Sequence, residues 1–84
     1  MKINLKYFSW IRVKLKRGQD TIEVSEKITF KKLKPYLIEK DAIFEEIFGD
    51  NSTKFFLNLI EINDQNITLN EGDEIAFLPP VTGG

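Results

Sequence analysis

Few residues in this chain could carry chemistry, and their types narrow what that chemistry is. The 84-residue sequence contains no Cys and no His. That removes disulfides, thiolate and imidazole metal sites, and nucleophiles of the Ser-His or Cys-His kind. Two features remain: an acidic cluster, Glu71, Asp73 and Glu74, and the final run Pro79-Pro80-Val81-Thr82-Gly83-Gly84. The acidic cluster surrounds Gly72 and reads as a solvated turn, because it lacks the ligand number and spacing of a calcium loop. The final run makes mechanical sense as an arm. Pro79 and Pro80 fix φ and send the chain away from a sheet in an extended direction. Six residues then reach up to about 20 Å. Gly83 and Gly84 carry no Cβ and can enter a channel too narrow for any side chain. The terminal carboxylate is a poor nucleophile and a poor electrophile until another enzyme activates it as an acyl phosphate or acyl adenylate. The ordinary alternative is a frayed end: Gly is about 7% of residues, so a terminal pair arises by chance in roughly 0.5% of chains.

Periodicity defines the elements that must carry this arm. Residues 2–8 alternate, with Ile3, Leu5 and Tyr7 on one face and Lys2, Asn4, Lys6 and Phe8 on the other, the pattern of a strand with one buried face. Over residues 9–17, Ile11, Val13 and Leu15 alternate with Arg12, Lys14 and Lys16, which favours extended structure; Ser9 as a cap and the Ile11–Leu15 spacing also permit a short helix. A turn at 17–20 leads to a short strand with Ile22 and Val24 on one face. Ser25 or Thr29 caps a helix over about 30–40 with Phe30, Leu33 and Leu37 on its inner stripe, which Pro35 is expected to kink or shorten. Asp41 caps a second helical stretch through Ile43, Phe44, Ile47 and Phe48, stopped by Gly49. Residues 55–62 make one long strand or two short ones broken near Asn58, and residues 74–78 the last strand, ended by Pro79-Pro80. This order is an α+β layout, a mixed sheet of four or five strands wrapped on one main helix. Ile3, Leu5, Ile22, Val24, Leu33, Leu37, Ile75 and Phe77 are the expected core.

Composition bounds the rest. Eighty-four residues leave no room for a second core. No apolar run approaches the ~20 residues of a membrane span, and the N-terminus alternates rather than forming a signal-peptide core, so a soluble, cytoplasmic protein is expected. Net charge is −1, yet residues 1–40 hold 11 Lys/Arg against 4 Asp/Glu and residues 41–84 hold one Lys against nine Asp/Glu. The halves either interleave and cancel or form a dipolar surface. Nucleic-acid binding gains no motif support.

The segments Glu71-Gly72-Asp73-Glu74-Ile75-Ala76-Phe77 and Leu78-Pro79-Pro80-Val81-Thr82-Gly83-Gly84, with the opening Ile3-Asn4-Leu5-Lys6-Tyr7-Phe8, resemble the MoaD-type sulfur carriers of the MoaD/ThiS family, the small subunits of molybdopterin synthase. Asn58, following a strand, resembles that family's strand–Asn turn. The resemblance implies a ubiquitin-like β-grasp domain over residues 1–78 and an extended tail over 79–84. It implies a carrier that is not catalytic by itself and binds no cofactor or metal. By the same resemblance, an E1-like, MoeB-type enzyme is expected to adenylate Gly84 with ATP, and the product to be converted to a thiocarboxylate. The tail is then expected to enter the active site of a MoaE-type large subunit, where sulfur would pass to a pterin precursor in molybdenum or tungsten cofactor synthesis. No nucleic-acid or membrane partner is implied. Three rival readings stand beside it: a carrier for thiamine or cysteine synthesis, a ubiquitin-like modifier joined to target lysines, and an interaction module with incidental glycines. Residues 79–84 are expected to be mobile until docked, since only Val81 offers a bulky anchor. In a β-grasp sheet the first and last strands are neighbours, so alternation places Phe8, Ala76 and Leu78 on one exposed docking face beside the tail.

Overall fold

The chain returns to its own middle at the end: the last strand slots into the centre of the sheet. A computed structural model describes residues 1–80, so the expected behaviour of Val81, Thr82, Gly83 and Gly84 lies outside the described residues. The elements run β1 (Lys2–Tyr7), α1 (Ser9–Leu15), β2 (Gln19–Glu23), α2 (Phe30–Lys40), α3 (Ile43–Gly49), β3 (Lys54–Leu57), β4 (Ile60–Glu61) and β5 (Glu74–Leu78). The sheet order is β2-β1-β5-β3-β4. β5 lies parallel to β1 and antiparallel to β3, and the outer pairs are antiparallel. This mixed sheet with α2 crossing its inner face is the α+β arrangement expected from the element order.

Local chemistry explains most boundaries. Thr29 Oγ1 accepts the Lys32 N–H at 3.3 Å and starts α2, whose Phe30, Leu33 and Leu37 are buried at helical spacing. Pro35 neither ends nor shortens the helix, which continues to Lys40. Buried Leu33 and Leu37 on either side hold the turn whose hydrogen bond the proline deletes. Asp41 serves two helices. Its N–H donates to the Leu37 carbonyl at 3.0 Å and closes α2, while its Oδ1 accepts the Ile43 N–H at 3.0 Å and opens α3. All eight expected core residues are buried, joined by Tyr7, Ile11, Leu15, Phe30, Phe44, Ile47 and Leu69.

Residues 9–17 depart from the expected extended structure. They form α1, with Ile11 and Leu15 buried and Val13 exposed. β1 pairs antiparallel with β2 from Lys6↔Gln19 outward, and the Tyr7 N–H donates to the Gly18 carbonyl at 2.9 Å. The intervening segment must therefore leave the sheet and return beside the strand it left. A helix buries Ile11 and Leu15 and packs Trp10 partly against the core while doing so; a strand there would have no partner. Ser9 is not the cap: it has φ +56°, and Phe8 holds the capping position without a side-chain bond. Lys16 ends the helix at φ +61°.

A polar cluster pins this connection. The Tyr7 hydroxyl donates to Asp20 Oδ2 at 2.7 Å, and Arg17 Nε donates to the same oxygen at 2.6 Å. Arg17 Nη1 also donates to the Leu15 carbonyl at 3.0 Å and lies 3.8 Å from Asp41 Oδ2. Burial, with the Asp20 carboxylate beside it, pushes the Tyr7 phenol far above its ordinary range. Among the described residues no helix is long and apolar enough to cross a membrane.

Two outcomes are expected. Leu33→Ala should cost roughly 2–5 kcal/mol in urea unfolding, as buried Leu truncations do. Tyr7 should stay protonated for as long as the fold persists. Its folded pKa lies above its unfolded one, so its contribution is complete below about pH 10 and is lost as pH rises beyond it. In a Tyr36→Phe background, which leaves Tyr7 as the one tyrosine, tyrosinate absorbance should then appear together with loss of ellipticity. A Tyr7 that ionises near pH 10 with the fold intact would contradict this.

Candidate functional site

The root of the terminal arm is clamped by one aromatic ring. Phe77 is fully buried in β5, opposite Tyr7 of β1 and Phe55 of β3 in the register. It meets Tyr7 edge-on at 5.2 Å and Phe55 edge-on at 5.1 Å, with Phe48 at 5.8 Å and Phe44 at 6.0 Å. Such arrangements are each worth roughly 0.5–1.5 kcal/mol beyond buried area. Leu78 and Pro79 follow half-buried, and Pro80 is exposed. The chain thus leaves a strand held on both sides two residues after its firmest anchor.

The acidic cluster fixes the other end of β5. Gly72 has φ +81°, a conformation that favours glycine, and its N–H donates to the Lys2 carbonyl at 2.8 Å. The Glu71 carboxylate accepts the Lys2 N–H at 3.1 Å. Asp73 Oδ2 accepts the Asn70 N–H at 2.7 Å and its Oδ1 accepts Asn58 Nδ2 at 3.0 Å. Asn58 Oδ1 in turn accepts the Glu74 N–H at 3.0 Å. Each carboxylate is engaged with the chain itself, as a turn requires, and among the described residues no three acidic side chains converge as metal ligands. Asn58 therefore bolts the β3–β4 hairpin to the start of β5.

The outer face of the sheet carries the expected docking residues unequally. Phe8 is 42% exposed, and continuing the Tyr7↔Phe77 register sets it beside half-buried Leu78. Ala76 departs from its expected exposure. It faces away from Ile75 and Phe77 but is only 7% exposed. In the register it stands between Lys6 and Phe56, whose longer side chains overtop a methyl group. Ala76 is the floor of the patch, and Phe56, across it from Lys6 and diagonal to Phe8, is a wall that alternation over 2–8 and 74–78 alone does not show. Its signal was present: alternation from Lys54 puts Phe56 on the outer face once the strand is known to end before Asn58. Ion pairs Lys6–Glu74 at 3.3 Å and Lys54–Glu61 at 3.6 Å border this apolar strip. The positions of Val81, Thr82, Gly83 and Gly84 lie outside the described residues.

The family model described as "ThiS family" matches residues 5–84. The chain belongs to the ThiS family. This ThiS-family chain is 35% identical to the molybdopterin synthase sulfur carrier subunit of Dictyostelium discoideum, covering 68% of this chain and 92% of that protein. Among solved structures, the crystal structure of SAMP1 from Haloferax volcanii matches with a TM-score of 0.84 at 21% identity, covering all of both chains. A chain in the complex of subunits 1 and 2 of the molybdopterin-converting factor from Helicobacter pylori matches with a TM-score of 0.72 at 30% identity, also covering all of both. The MoaD-type resemblance and the ubiquitin-like β-grasp fold read from the sequence are both borne out.

Phe77→Ala should cost about 3–5 kcal/mol, as large aromatic truncations in cores do. Phe8→Ala, on the outer face, should cost less than half as much. Equilibrium urea unfolding of the two variants makes the comparison; equal losses would mean that Phe77 is not the anchor described.

Proposed function

We propose that this chain is the sulfur-carrier subunit of a molybdopterin synthase. The observation that carries the reading is the junction at Leu78: a strand clamped by Phe77 runs into Pro79-Pro80-Val81-Thr82-Gly83-Gly84 beside an apolar face. Residues 1–78 act as the grip and residues 79–84 as the arm. A Gly84 carboxylate oxygen attacks the α-phosphorus of ATP in an E1-like activating enzyme, and pyrophosphate leaves. A sulfur nucleophile then displaces AMP from the acyl carbon and leaves a thiocarboxylate. In the large subunit the thiocarboxylate sulfur bonds to a carbon of the pterin precursor as an oxygen leaving group departs, and water then cleaves the acyl–sulfur bond, leaving the sulfur on the pterin and returning the Gly84 carboxylate. The chain contributes no acid, base or metal to these steps; it contributes reach and placement. The 35% identity to a sulfur carrier subunit and the likeness to a chain from a two-subunit complex support this reading.

The likeness to SAMP1 supports a second reading, since a related structure is that of small archaeal modifier protein 1 from Methanosarcina acetivorans. The same adenylate attacked by a lysine amine gives an isopeptide bond instead. Both readings use Gly84 and differ only in the nucleophile.

Reconstitution with the activating enzyme and the large subunit tests the carrier reading. Gly84→Ala adds a methyl beside the reacting carbon, and deletion of Gly84 retracts the acyl group by about 3.3–3.6 Å. Both variants should fold normally and lose sulfur transfer, because a displacement of ~1 Å can already cost ~100-fold in rate. Full transfer by the deletion variant would refute it. For docking, Phe8→Ala, Phe56→Ala and Leu78→Ala should each weaken calorimetric binding to the large subunit by about 1–2 kcal/mol. Unchanged affinity in all three would remove the outer face from the interface.

A further inference from the structure

A crevice of about 280 Å³ opens where β3 begins, and Lys34 reaches into it from α2 over the rings of Phe48 and Phe55. Four charged side chains line it. Glu61 pairs with Lys54 at 3.6 Å, and Asp50 Oδ1 accepts both the N–H and the hydroxyl of Ser52. Lys34 is left over. Among the described residues its ammonium has neither an ion pair nor a hydrogen-bond acceptor, and burial lowers its pKa with no charged neighbour to offset it. Thr53 also lines the crevice at 6% exposure, and its Oγ1 has no hydrogen-bond partner among the described residues. A buried hydroxyl and a partly desolvated ammonium are both costly to leave unpaired. Two donors without acceptors on one crevice call for an anionic acceptor, and a carboxylate offers oxygens for both.

The chain itself supplies a carboxylate at the right place. Leu78, the last residue of β5, stands opposite Lys54 in the register, so the arm begins beside the strand that forms the crevice. Lys34 Nζ lies 5.9 Å from the Phe55 ring centroid and that ring 5.1 Å from the Phe77 ring, which puts the ammonium within about 11 Å of Phe77. The six residues past Leu78 span up to about 20 Å, enough to bring the Gly84 carboxylate to Lys34. Gly83 and Gly84 have no Cβ, so the end of the arm needs little room. Tethering favours this carboxylate over one on another molecule: a short link gives an effective concentration on the order of millimolar, far above that of a second copy in dilute solution.

We propose that the crevice beside Lys34 is a carboxylate site for the chain's own Gly84, so that the arm docks on its own domain before any partner takes it. An enzyme that uses Gly84 must then draw it off Lys34 first. The inference holds for either nucleophile considered above, and its test needs this chain alone.

NMR titration of the full-length chain, reading the Gly84 carboxyl carbon, tests it. In wild type this carboxyl should titrate about half a pH unit or more below its value in Lys34→Gln, because a nearby cation favours the charged form. Lys34→Arg should keep most of that difference. Asp50 and Glu61 titrate around the same crevice, so the reading is taken from the Gly84 resonance and not from Lys34 alone. Truncation after Pro80 reads the contact from the other side without touching the core: the Lys34 ammonium should titrate lower once its carboxylate is gone. Core amide shifts should match wild type in every variant. Equal Gly84 titration in wild type and Lys34→Gln would overturn the proposal, as would a Lys34 unmoved by truncation. A Gly84 titration that changes with protein concentration would assign the site to the arm of a second copy and overturn the internal contact. Millimolar acetate that shifts Lys34 and Thr53 in the truncated chain, while Gly84 in the full chain ignores Lys34→Gln, would make it a site for free carboxylates and overturn the arm as its occupant.

Discussion

The edge-to-face packing of Phe77 against Tyr7 and Phe55 joins three strands one residue before the end of β5 at Leu78. Phe44 and Phe48 of α3 close over the same ring, and Phe30 of α2 meets both Phe48 and Phe55. In a domain of this size a single core must supply nearly all the stability, and this aromatic cluster lies on the side of the core nearest the tail. A carrier needs that bias. Its terminus must be presented at a fixed distance and angle, so rigidity matters most at residue 77 and least at the ends of surface loops.

Electrostatics plays a different part. The two halves of the chain carry opposite charge, but the fold interleaves them. Lys6 pairs with Glu74, Lys14 with Glu46, and Arg17 lies near Asp41. Exposed pairs of this kind contribute about 0–1 kcal/mol each, so they dampen the dipole more than they hold the fold. The polar contacts with structural consequence are those with backbone partners: Asp41 between two helices, and Asn58 Oδ1 accepting the Glu74 N–H at the foot of β5. Lys34 is different. Its ammonium sits 5.1 Å from the Phe30 ring centroid and within 6 Å of those of Phe48 and Phe55, and burial lowers its pKa. It caps the open side of the aromatic cluster.

Much of this was legible in the sequence, for identifiable reasons. The stripe Phe30, Leu33, Leu37 and the alternation of Ile3, Leu5 and Tyr7 each fit one period only, and the structure follows them. Residues 9–17 fit two periods. The choice was made by the return of β2 to β1, a tertiary demand that no local window contains. Alternation assigned Ala76 to the correct face but could not give its depth, which depends on Lys6 and Phe56 in neighbouring strands. Phe56 stayed hidden because the hairpin turn at Asn58-Leu59 lacks the glycine that would mark it. The expectation of an arm rests on chemistry rather than period: two prolines that stiffen and two glycines that narrow.

The central claim is that the terminal carboxylate of Gly84 is the working group. Intact-mass spectrometry of the protein isolated from its native cells measures this directly. A population carrying one oxygen-to-sulfur exchange, mapped to the C-terminal peptide and absent from Gly84→Ala, is the expected result. A terminus found only as the free carboxylate, with Gly-Gly remnants on lysines of other proteins, would contradict the carrier and leave the modifier.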